Sequence, residues 1–488
     1  MKLNQLMFPL IGTEIKPDIE INSIQFQSSL VQKGDIYIAI RGFTNNGHKY
    51  IGEAISKGAS AIVGEEDLLS LPIPYFRVAD SREALGRLAA SFYNFPAKKH
   101  RMIGITGTNG KTTTAYMVKY ILQYAEKSCS LISTVSNYIN GQELVSTATT
   151  PSSLELNKLL SLSNDESVVM EVSSHGLDQK RVEGIEFEFG LFTNLTQDHL
   201  DYHKDLNEYF ETKSKLFDCL GSNGAAIINS RCPWGLKMIE RLRCREIPVY
   251  TFGHQATDDL QLLTFNEQLD SDFIIQEKGK DEIWNIKLSM PGAYNRENAM
   301  AAILLARRMG VGMKLICEAI ETFPGVPGRY EVYQHHSGIS FVVDYAHTPD
   351  GIENFLETVK RRENKKIIHI FGFRGNKDVS KRKQMMDISS FYCDEIILTF
   401  DDLNGVSAKK MKTELNELAV KWGKGKARII TDRTSAIEYA WEHADKNSCI
   451  IITGKGPESY KEDFSLPTDT DADTIKYLFT KKVKFIER

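Results

Sequence analysis

Two side chains suited to phosphate chemistry, Lys111 and Thr112, follow a glycine-spaced turn in the segment I-G-I-T-G-T-N-G-K-T-T-T-A. An apolar run leads into Gly107 and Gly110, and a helical pattern follows directly. Glycines let backbone N–H groups approach phosphate oxygens, and the helix N-terminus adds partial positive charge. The lysine would then contact the β- and γ-phosphates, and the threonine would face a magnesium ion. The segment predicts a nucleotide-binding loop, although Ile105 stands where the general pattern has glycine.

Acidic and histidine side chains follow further apolar runs. Glu171 lies near the end of S-V-V-M-E-V, where a carboxylate beside a phosphate loop would suit Mg²⁺, which prefers hard oxygen donors. The alternative for Glu171 is a solvated or capping glutamate. The segment N-L-T-Q-D-H-L-D-Y-H carries two acids and two histidines, which a polar loop would also explain. It lacks the third nitrogen or sulfur ligand that a structural zinc site needs.

Three more residues are candidates for the same chemistry. Asp344 opens D-Y-A-H-T-P at the end of a predicted strand, roughly where the acidic ribose ligand lies in nucleotide-binding folds. Arg329, in P-G-R-Y, would reach the same nucleotide from a hinge between two domains. Lys213, in Y-F-E-T-K-S-K-L-F, is by its own pattern only a lysine on an amphipathic helix.

Composition limits the class of protein. The 488 residues suggest about three domains, and 42% hydrophobic with 25% charged residues is typical of soluble globular proteins. A net charge of −4 gives no reason to expect nucleic acid as a partner. The seven cysteines include no C-x-x-C pair, which argues against disulfides or zinc and for a reducing compartment. The sequence contains no signal peptide or membrane span, so a cytoplasmic location is predicted.

The order of apolar runs predicts an α/β protein with three domains. Residues 1–97 combine short strands with helices at Tyr50–Lys57 and Ser81–Tyr93, the second led by a serine cap. Residues 98–327 alternate strands and helices, including a helix over Leu206–Leu220, with a break near Thr251–Gly253. Residues 328–488 show the same alternation, with polar and glycine-rich residues after each strand. Alternation of this kind favours mainly parallel sheets covered by helices on both faces.

The ordered motifs resemble those of the Mur ligases, and within that family the MurE type. They are T-G-T-N-G-K-T-T, T-T-P, M-E-V-S-S-H-G-L, F-T-N-L-T-Q-D-H-L-D-Y-H, N-R-E-N-A-M-A-A, P-G-R, D-Y-A-H-T-P, K-R and T-G-K-G-P-E. The resemblance implies an N-terminal domain for a UDP moiety, a central P-loop ATPase domain and a Rossmann-like C-terminal domain for an amino acid. It implies ATP-dependent ligation of a third amino acid to UDP-N-acetylmuramoyl-L-Ala-D-Glu in peptidoglycan assembly, by a cytoplasmic monomer with small-molecule substrates and no nucleic acid partner.

The implied mechanism fits the residues. The substrate carboxylate attacks the γ-phosphate of ATP, giving an acyl phosphate and ADP, and the incoming amine then displaces phosphate. Phosphoryl transfer depends mainly on positioning and charge neutralisation. By resemblance, the ATP contacts are Gly107, Thr108, Asn109, Gly110, Lys111, Thr112, Thr113, Asn295, Arg329 and Asp344. Two Mg²⁺ ions would be held by Thr112, Glu171, His199 and Lys213, the last carbamylated by CO₂, and Lys111, Lys213, His199 and His347 would be catalytic.

The remaining implied contacts concern the other two substrates. Those for the UDP-muramoyl peptide are Ser28, Thr149, Thr150, Ser173, Gln179 and Arg181. Those for the amino acid are Lys377, Asp401, Asp402, Asn404, Gly454 and Glu458.

Three motifs depart from the family pattern. The uridine motif D-S-R is Gln27-Ser28-Ser29 here, and Lys377 replaces an arginine in G-N-K-D. Ligases for meso-diaminopimelate resemble D-N-P-R in the specificity loop, whose arginine clamps the distal carboxylate, whereas this chain has D-D-L-N ending at Asn404. Glu458 and Asp402 would suit a cationic distal amine, which favours lysine or ornithine. The loop does not match the lysine type well either, so the amino acid stays open.

Two alternatives to this interpretation remain. A related ligase acting on a different carboxylate would explain the altered uridine and specificity motifs. A P-loop ATPase without ligation would leave Glu171, His199 and Lys213 unexplained.

Overall fold

The structure is a computed structural model, and it describes residues 1–13, 15–16, 18–42, 45–68, 70–266, 271–363 and 365–481. The chain forms two compact units. The first comprises Met1–Thr106, Lys127–Gly190 and Thr212–Ala225, and the second comprises Gly107–Glu126, Leu191–Glu211 and Ala226–Arg488. Among the described helices, none is both long and apolar enough to cross a membrane.

The N-terminal region of the first unit is a small parallel sheet with three helices. Its elements are α1 (Leu3–Ile11), β1 (Ile24–Gln25), β2 (Ile36–Ile38), α2 (Ile51–Ser56), β3 (Ala61–Gly64), β4 (Tyr75–Arg77) and α3 (Ser81–Phe92). The strands lie in chain order and pair in parallel. The predicted serine cap of α3 is wrong by one residue, because Asp80 accepts hydrogen bonds from the N–H groups of Arg82 and Glu83.

The central region alternates strands and helices as predicted. Its elements are β5 (Arg101–Thr106), α4 (Lys111–Tyr124), β6 (Cys129–Ile132), β7 (Ser136–Ile139), β8 (Gln142–Val145), α5 (Ser153–Leu162), β9 (Ser167–Glu171), α6 (Ser174–Asp178), β10 (Phe187–Phe192), α7 (Leu206–Ser214), β11 (Leu220–Asn229), α8 (Pro233–Cys244), β12 (Val249–Gly253), β13 (Leu260–Phe265), β14 (Asp272–Glu277), β15 (Ile283–Lys287), α9 (Ala293–Arg308) and α10 (Met313–Glu321). In the first unit β5, β9 and β6 are parallel neighbours.

Two predictions for this region need correction. The break expected near Thr251–Gly253 falls inside β12, because V-Y-T-F is rich in β-branched and aromatic residues that favour strands. β12 then leads in the second unit to the antiparallel strands β13, β14 and β15. The helix expected over Leu206–Leu220 is shorter, since α7 ends at Ser214 and the chain continues as a 3-10 turn over Lys215–Cys219.

The C-terminal region, within the second unit, is a six-stranded sheet with helices on both faces. Its elements are β16 (Glu331–Gln334), β17 (Ser340–Asp344), α11 (Pro349–Arg362), β18 (Lys366–Phe371), α12 (Arg382–Tyr392), β19 (Glu395–Leu398), α13 (Ala408–Trp422), β20 (Ala427–Ile429), α14 (Arg433–His443), β21 (Ser448–Thr453) and α15 (Asp471–Thr480). The strand order is β16-β17-β21-β18-β19-β20, and only β16 is antiparallel to its neighbour.

Both faces of this sheet are buried, which explains its continuous apolar runs. Along β21, Cys449 and Ile451 pack on the face covered by α11, α12 and α13, whereas Ile450 and Ile452 pack against α14 and α15. Successive strand residues point to opposite faces, so burial on both sides requires an unbroken apolar run. The parallel arrangement brings the carboxyl ends of β17, β18, β19 and β21 to one edge, as the sequence predicts.

Candidate functional site

The phosphate loop contains two glycines, Gly107 and Gly110, at positions where neighbouring side chains leave no room for a larger residue. Gly107 has φ +148° and Gly110 has φ +86°, in the region that disfavours other residues. A Cβ at Gly107 would overlap the Oγ1 of Thr193, and one at Gly110 would overlap the Oδ1 of Asn298. The loop is therefore fitted against Thr193 and α9, which hold its backbone in place.

The loop is also bonded to the segment that follows β10. The Thr108 N–H donates to the Asn194 carbonyl at 2.9 Å, and the Asn109 N–H donates to Asn194 Oδ1 at 3.0 Å. The Thr193 hydroxyl donates to the Asn109 carbonyl at 2.7 Å. Lys111 Nζ donates to the carbonyl oxygens of Gly107 at 3.0 Å and Thr108 at 2.8 Å. The ammonium group thus lies over the loop, where a nucleotide phosphate would meet it.

Residues from later in the chain approach the same loop within the second unit. Arg329 Nη2 donates to the Oγ1 of Thr112 at 3.3 Å, and Asn109 Nδ2 donates to Asp350 Oδ2 at 2.9 Å. Asn295 is buried on α9, and its Oδ1 accepts a 3.3 Å hydrogen bond from Asn298. The structure therefore brings Arg329 to Thr112, the residue after Lys111, and Thr113 is buried on α4.

Asp344 and Asp198 lie close to the loop in different electrostatic environments. Burial raises the pKa of Asp344, against the positive charge of Arg329, and both carboxylate oxygens accept backbone N–H groups, from Tyr330 and Ala346. Burial opposes ionisation of Asp198 too, but a hydrogen bond from His347 and the neighbouring charges, first that of His199, hold its pKa well below the usual value.

Asp198 is the centre of a charged group. Its Oδ2 lies 3.3 Å from His199 Nε2 and 3.6 Å from His347 Nε2, and its Oδ1 lies 3.3 Å from Lys381 Nζ. His199 has φ +56°, a strained conformation for a side-chain-bearing residue. The group surrounds a buried carboxylate with two imidazole rings and one ammonium group, side chains that can donate hydrogen bonds to phosphate oxygens.

In the first unit, Glu171 belongs to a network of hydroxyl groups. It is fully buried, and its carboxylate accepts from Thr134 N at 2.8 Å and from Thr134 Oγ1 at 3.2 Å. This excludes the solvated glutamate considered from sequence. Thr134 Oγ1 lies 3.0 Å from Thr149 Oγ1. Thr134 was missed because a single threonine after a strand carries no motif.

The same network includes five of the six predicted peptide-binding residues. Thr150 Oγ1 donates to the Glu171 carbonyl at 2.9 Å and lies 3.1 Å from Ser173 Oγ. Arg181 donates to the Thr150 carbonyl at 2.7 Å and to Gln179 Oε1 at 2.8 Å. Thr149, Thr150, Ser173, Gln179 and Arg181 are thus joined to Glu171 in what we call the hydroxyl network, together with Thr134.

Two further predicted residues of the first unit are Ser28 and Lys213. Ser28 lies in the 3-10 turn Ser28–Leu30, where its Oγ donates to Glu53 Oε2 at 2.7 Å. Lys213 is only 1% exposed on α7, so the interpretation of an ordinary lysine on an amphipathic helix is wrong. A buried ammonium is costly without compensating groups, and such burial is unusual for lysine.

The amino-acid residues predicted from sequence lie at the carboxyl edge of the C-terminal sheet. Both oxygens of Asp402 are bonded at 2.7 Å, one by Lys455 and the other by Lys461, and these bonds lower its pKa against the effect of burial. The sequence suggested Asp402 as a partner for a cationic amine, but its oxygens already have cationic partners.

A second acid at this edge, Glu458, has different partners. Its Oε2 accepts from Arg374, and its Oε1 accepts from the Tyr345 hydroxyl at 2.8 Å. Arg374 was missed by sequence reasoning, because it stands in F-G-F-R-G without a motif and its partner lies 84 residues later.

The remaining predicted residues flank these acids. Asn404 has φ +47° and donates to the Gly375 carbonyl at 3.2 Å. Lys377 Nζ lies 3.4 Å from Asp201 Oδ2. Asp401 is buried, 3.6 Å from Lys455 Nζ, and Gly454 has φ +105° just after β21.

The predicted metal residues fall in both units. Glu171 and Lys213 belong to the first, and Thr112 and His199 to the second. Within the described part of the chain, no group of three or more His, Cys, Asp or Glu is placed to hold a metal ion.

Comparison with known proteins identifies the family. Residues 20–93 match the Mur ligase family catalytic domain, 105–306 the Mur ligase middle domain, and 328–456 the Mur ligase glutamate ligase domain. The UDP-N-acetylmuramoyl-L-alanyl-D-glutamate--2,6-diaminopimelate ligase of Alkaliphilus oremlandii (strain OhILAs) is 38% identical over 444 residues, 90% of each chain.

Solved structures show the same three-domain fold. A structure of UDP-N-acetylmuramoyl-L-alanyl-D-glutamate--2,6-diaminopimelate ligase has TM-score 0.66 and 24% identity, covering 98% of this chain and 99% of its own. MurF ligase from Thermotoga maritima in complex with ADP has TM-score 0.61 and 18% identity, covering 88% and 93%. The chain belongs to the Mur ligase family of ATP-dependent ligases and, within it, to the MurE type.

Proposed function

We propose that this ligase joins a diamino acid to a carboxylate of UDP-N-acetylmuramoyl-L-Ala-D-Glu, using ATP, in peptidoglycan biosynthesis. The observation that carries the proposal is the hydrogen bond from Arg329 to Thr112, which links the phosphate loop to the start of the C-terminal region. The names of relatives covering nine-tenths of the chain support the same substrate. We further propose that residues 1–97 bind the UDP moiety, 98–327 bind ATP and 328–488 bind the amino acid.

The proposed chemistry has two steps. A carboxylate oxygen of the substrate attacks the γ-phosphorus, the bond to ADP breaks, and an acyl phosphate forms. The amine of the amino acid then attacks the acyl carbon, phosphate leaves with the bonding electrons, and the nitrogen loses a proton to solvent or a nearby base. Lys111 would neutralise charge on the transferred group, and His347, which lies beside Asp198, would donate a hydrogen bond to the same group.

Two Mg²⁺ ions are proposed to complete the ATP site by neutralising phosphate charge. The hydroxyl of Thr112 and the carboxylate of Glu171 are hard oxygen donors of the kind that Mg²⁺ prefers. An ammonium group repels a cation, so Lys213 fits this set only as a carbamate formed with CO₂. Its burial on α7 would shield such a group from water. His199 is proposed as a further ligand.

The contacts of the other substrates follow the same logic. The hydroxyl network, with Arg181 and Gln179, is proposed to bind the muramoyl peptide, and Ser28 is proposed to contact the uridine end. The carboxyl edge of the C-terminal sheet, with Lys377, Asp401, Asn404, Gly454 and Glu458, is proposed to receive the amino acid. We also propose that the enzyme acts as a monomer in the cytoplasm.

The test is phosphate release with ATP, Mg²⁺ and UDP-N-acetylmuramoyl-L-Ala-D-Glu against meso-diaminopimelate, L-lysine, L-ornithine and neutral amino acids. Release that depends on a diamino acid supports the proposal. ATP binding without release for any amino acid would contradict it. That result would favour a ligase for a different carboxylate, for which the motif Gln27-Ser28-Ser29 is the specific indication.

A further inference from the structure

Six charged side chains meet at the carboxyl edge of the C-terminal sheet and pair among themselves. The cations are Arg374, Lys455 and Lys461, and the anions are Asp401, Asp402 and Glu458. Within this group of six, positive and negative charges are equal in number, and each carboxylate already has a cationic partner. A ligand that binds to one of these side chains must therefore exchange partners with an existing pair.

These pairs differ in access. The side chains of Lys455 and Asp402 are each 2% exposed, so this pair is part of the protein interior. The side chains of Arg374 and Glu458 are 24% and 30% exposed. Lys461 is 66% exposed, but its partner Asp402 is buried. Of these pairs, the one between Arg374 and Glu458 is thus the one in which a ligand can reach both members from solvent.

Arg374 is held at several points around its guanidinium. Its Nη2 bonds Glu458 and lies 3.4 Å from the Gly454 carbonyl, and its Nε lies 3.7 Å from Asp401 Oδ1. Its Nε is buried and makes no hydrogen bond. The Tyr345 hydroxyl donates to the other oxygen of Glu458, which fixes the acid beside the arginine.

An accessible pair of opposite charges matches a zwitterion. A group carrying both an ammonium and a carboxylate gives the ammonium to Glu458 and the carboxylate to Arg374, so that every charge keeps a partner. A lone ammonium pairs only with Glu458 and competes with Arg374 for it. The displaced guanidinium then loses its main partner in a half-buried site, which is unfavourable.

We propose that Arg374 determines amino-acid specificity, and that the enzyme selects a distal end bearing both an ammonium and a carboxylate, as in meso-diaminopimelate. This inference rests on the proposed function. It reverses the preference for lysine or ornithine drawn from Asn404, because the loop after β18 supplies the arginine that the loop after β19 lacks. Asn404 donates to Gly375, the residue next to Arg374, so the two loops are in contact.

The test compares meso-diaminopimelate with L-lysine, which differ only by the distal carboxylate. We expect the wild-type enzyme to have a kcat/KM at least about tenfold higher for diaminopimelate, a common effect of one charged hydrogen-bonded pair. Arg374→Gln should lose at least about tenfold with diaminopimelate, mainly through KM, and change less than about threefold with lysine. Arg374→Lys should fall between, because lysine keeps the charge without the bidentate fork.

Arg428→Gln is the matched control, since Arg428 also pairs with a glutamate, Glu395, on the surface of the same region. It should leave both values and the KM for ATP unchanged. Equal or better use of lysine by the wild-type enzyme, or an equal loss with both substrates in Arg374→Gln, would overturn the role of Arg374 and leave the proposed ligation standing. If Arg374→Gln does not fold, the ratio of the wild-type kcat/KM values for diaminopimelate and lysine still tests the proposed selectivity. Absence of release with every amino acid would instead overturn the proposed function and this inference with it.

Discussion

The hydroxyl network of the first unit and the carboxyl edge of the C-terminal sheet use different kinds of side chain, neutral hydroxyl groups in the first and charged groups in the second. In the network, threonine and serine hydroxyls surround the single buried acid Glu171 and bond backbone groups of their own unit. At the edge, the contacts are pairs of full charges, and one of them, between Arg374 and Glu458, is open to solvent. Short hydroxyl side chains fix a geometry, whereas charge pairs can exchange partners. In the proposed function, the hydroxyl network binds the UDP-muramoyl peptide, and the carboxyl edge, whose pairs can exchange partners, binds the selected amino acid.

The largest loss of activity is expected from a substitution in the phosphate loop, because phosphate transfer from ATP is needed before the amino acid can react. Lys111→Ala should lower phosphate release about a thousandfold, because the charge that neutralises the transferred phosphate is removed. The melting temperature should stay close to that of the wild type, since Lys111 Nζ donates to carbonyl oxygens of the adjacent loop. Release assays and thermal melts check both statements. Near-normal release would contradict the assignment of the loop.

Lys213→Ala tests the role of the buried Lys213 side chain in the first unit. Loss of the proposed carbamate, a proposed ligand of Mg²⁺, should reduce activity about a hundredfold. Acetate or propionate in the assay should restore part of it, because a free carboxylate can occupy the vacated space. Lys215→Ala, two residues away and half-exposed, should behave like the wild type. Full activity in unrescued Lys213→Ala would remove the residue from the site.

Glu171→Gln separates chemistry from structure in the network. The amide oxygen can still accept from the Thr134 N–H, and the Thr134 hydroxyl can rotate to accept from the amide nitrogen. Unfolding free energy should therefore change by less than about 1 kcal/mol, while the lost charge reduces activity roughly thirtyfold through weaker Mg²⁺ binding. A Mg²⁺ titration measures the shift. A large loss of stability with unchanged Mg²⁺ dependence would make Glu171 purely structural.

Tyr345→Phe removes one hydrogen bond at the carboxyl edge without changing the net charge of the edge. The variant loses the hydrogen bond to Glu458, and the KM for the amino acid should rise about threefold to tenfold. The KM for the UDP-muramoyl peptide should stay the same. An equal rise in both would mean that the two regions are not independent, and the comparison above would fail.

Lys180→Met should give the smallest effect. Lys180 lies between Gln179 and Arg181 and pairs with Asp80 at 3.0 Å and Glu83 at 2.5 Å, on the first turn of α3. These groups are about one-third exposed, so the pairs contribute only about 0.5–1 kcal/mol and weaken in salt. The KM for the UDP-muramoyl peptide should rise about twofold at low salt and less at high salt. No salt dependence would show that Lys180 does not position this loop.

The sequence predicted best what depends on neighbours along the chain. Lys111 and Thr112 follow a strand and a glycine turn, and the apolar run that ends at Asp344 is a strand in the structure. The sequence failed where long-range contacts decide. Lys213 looks like a surface lysine because a nine-residue helix reveals little about what packs on it. Arg374 has no motif, and the ion pair that gives it a role exists only once β18 and β21 are neighbours.

The aromatic ring of Tyr345 has a further consequence. The guanidinium of Arg329 lies 4.2 Å from its centroid and that of Arg374 lies 5.7 Å from it, so one ring touches an arginine of the phosphate site and an arginine of the amino-acid site. Cation–π contacts strengthen as water is excluded. If bound ATP changes the affinity for the amino acid through this ring, the bound amino acid must change the affinity for ATP by the same factor. The equilibrium affinities for ATP and for the amino acid are then properties of both pockets together.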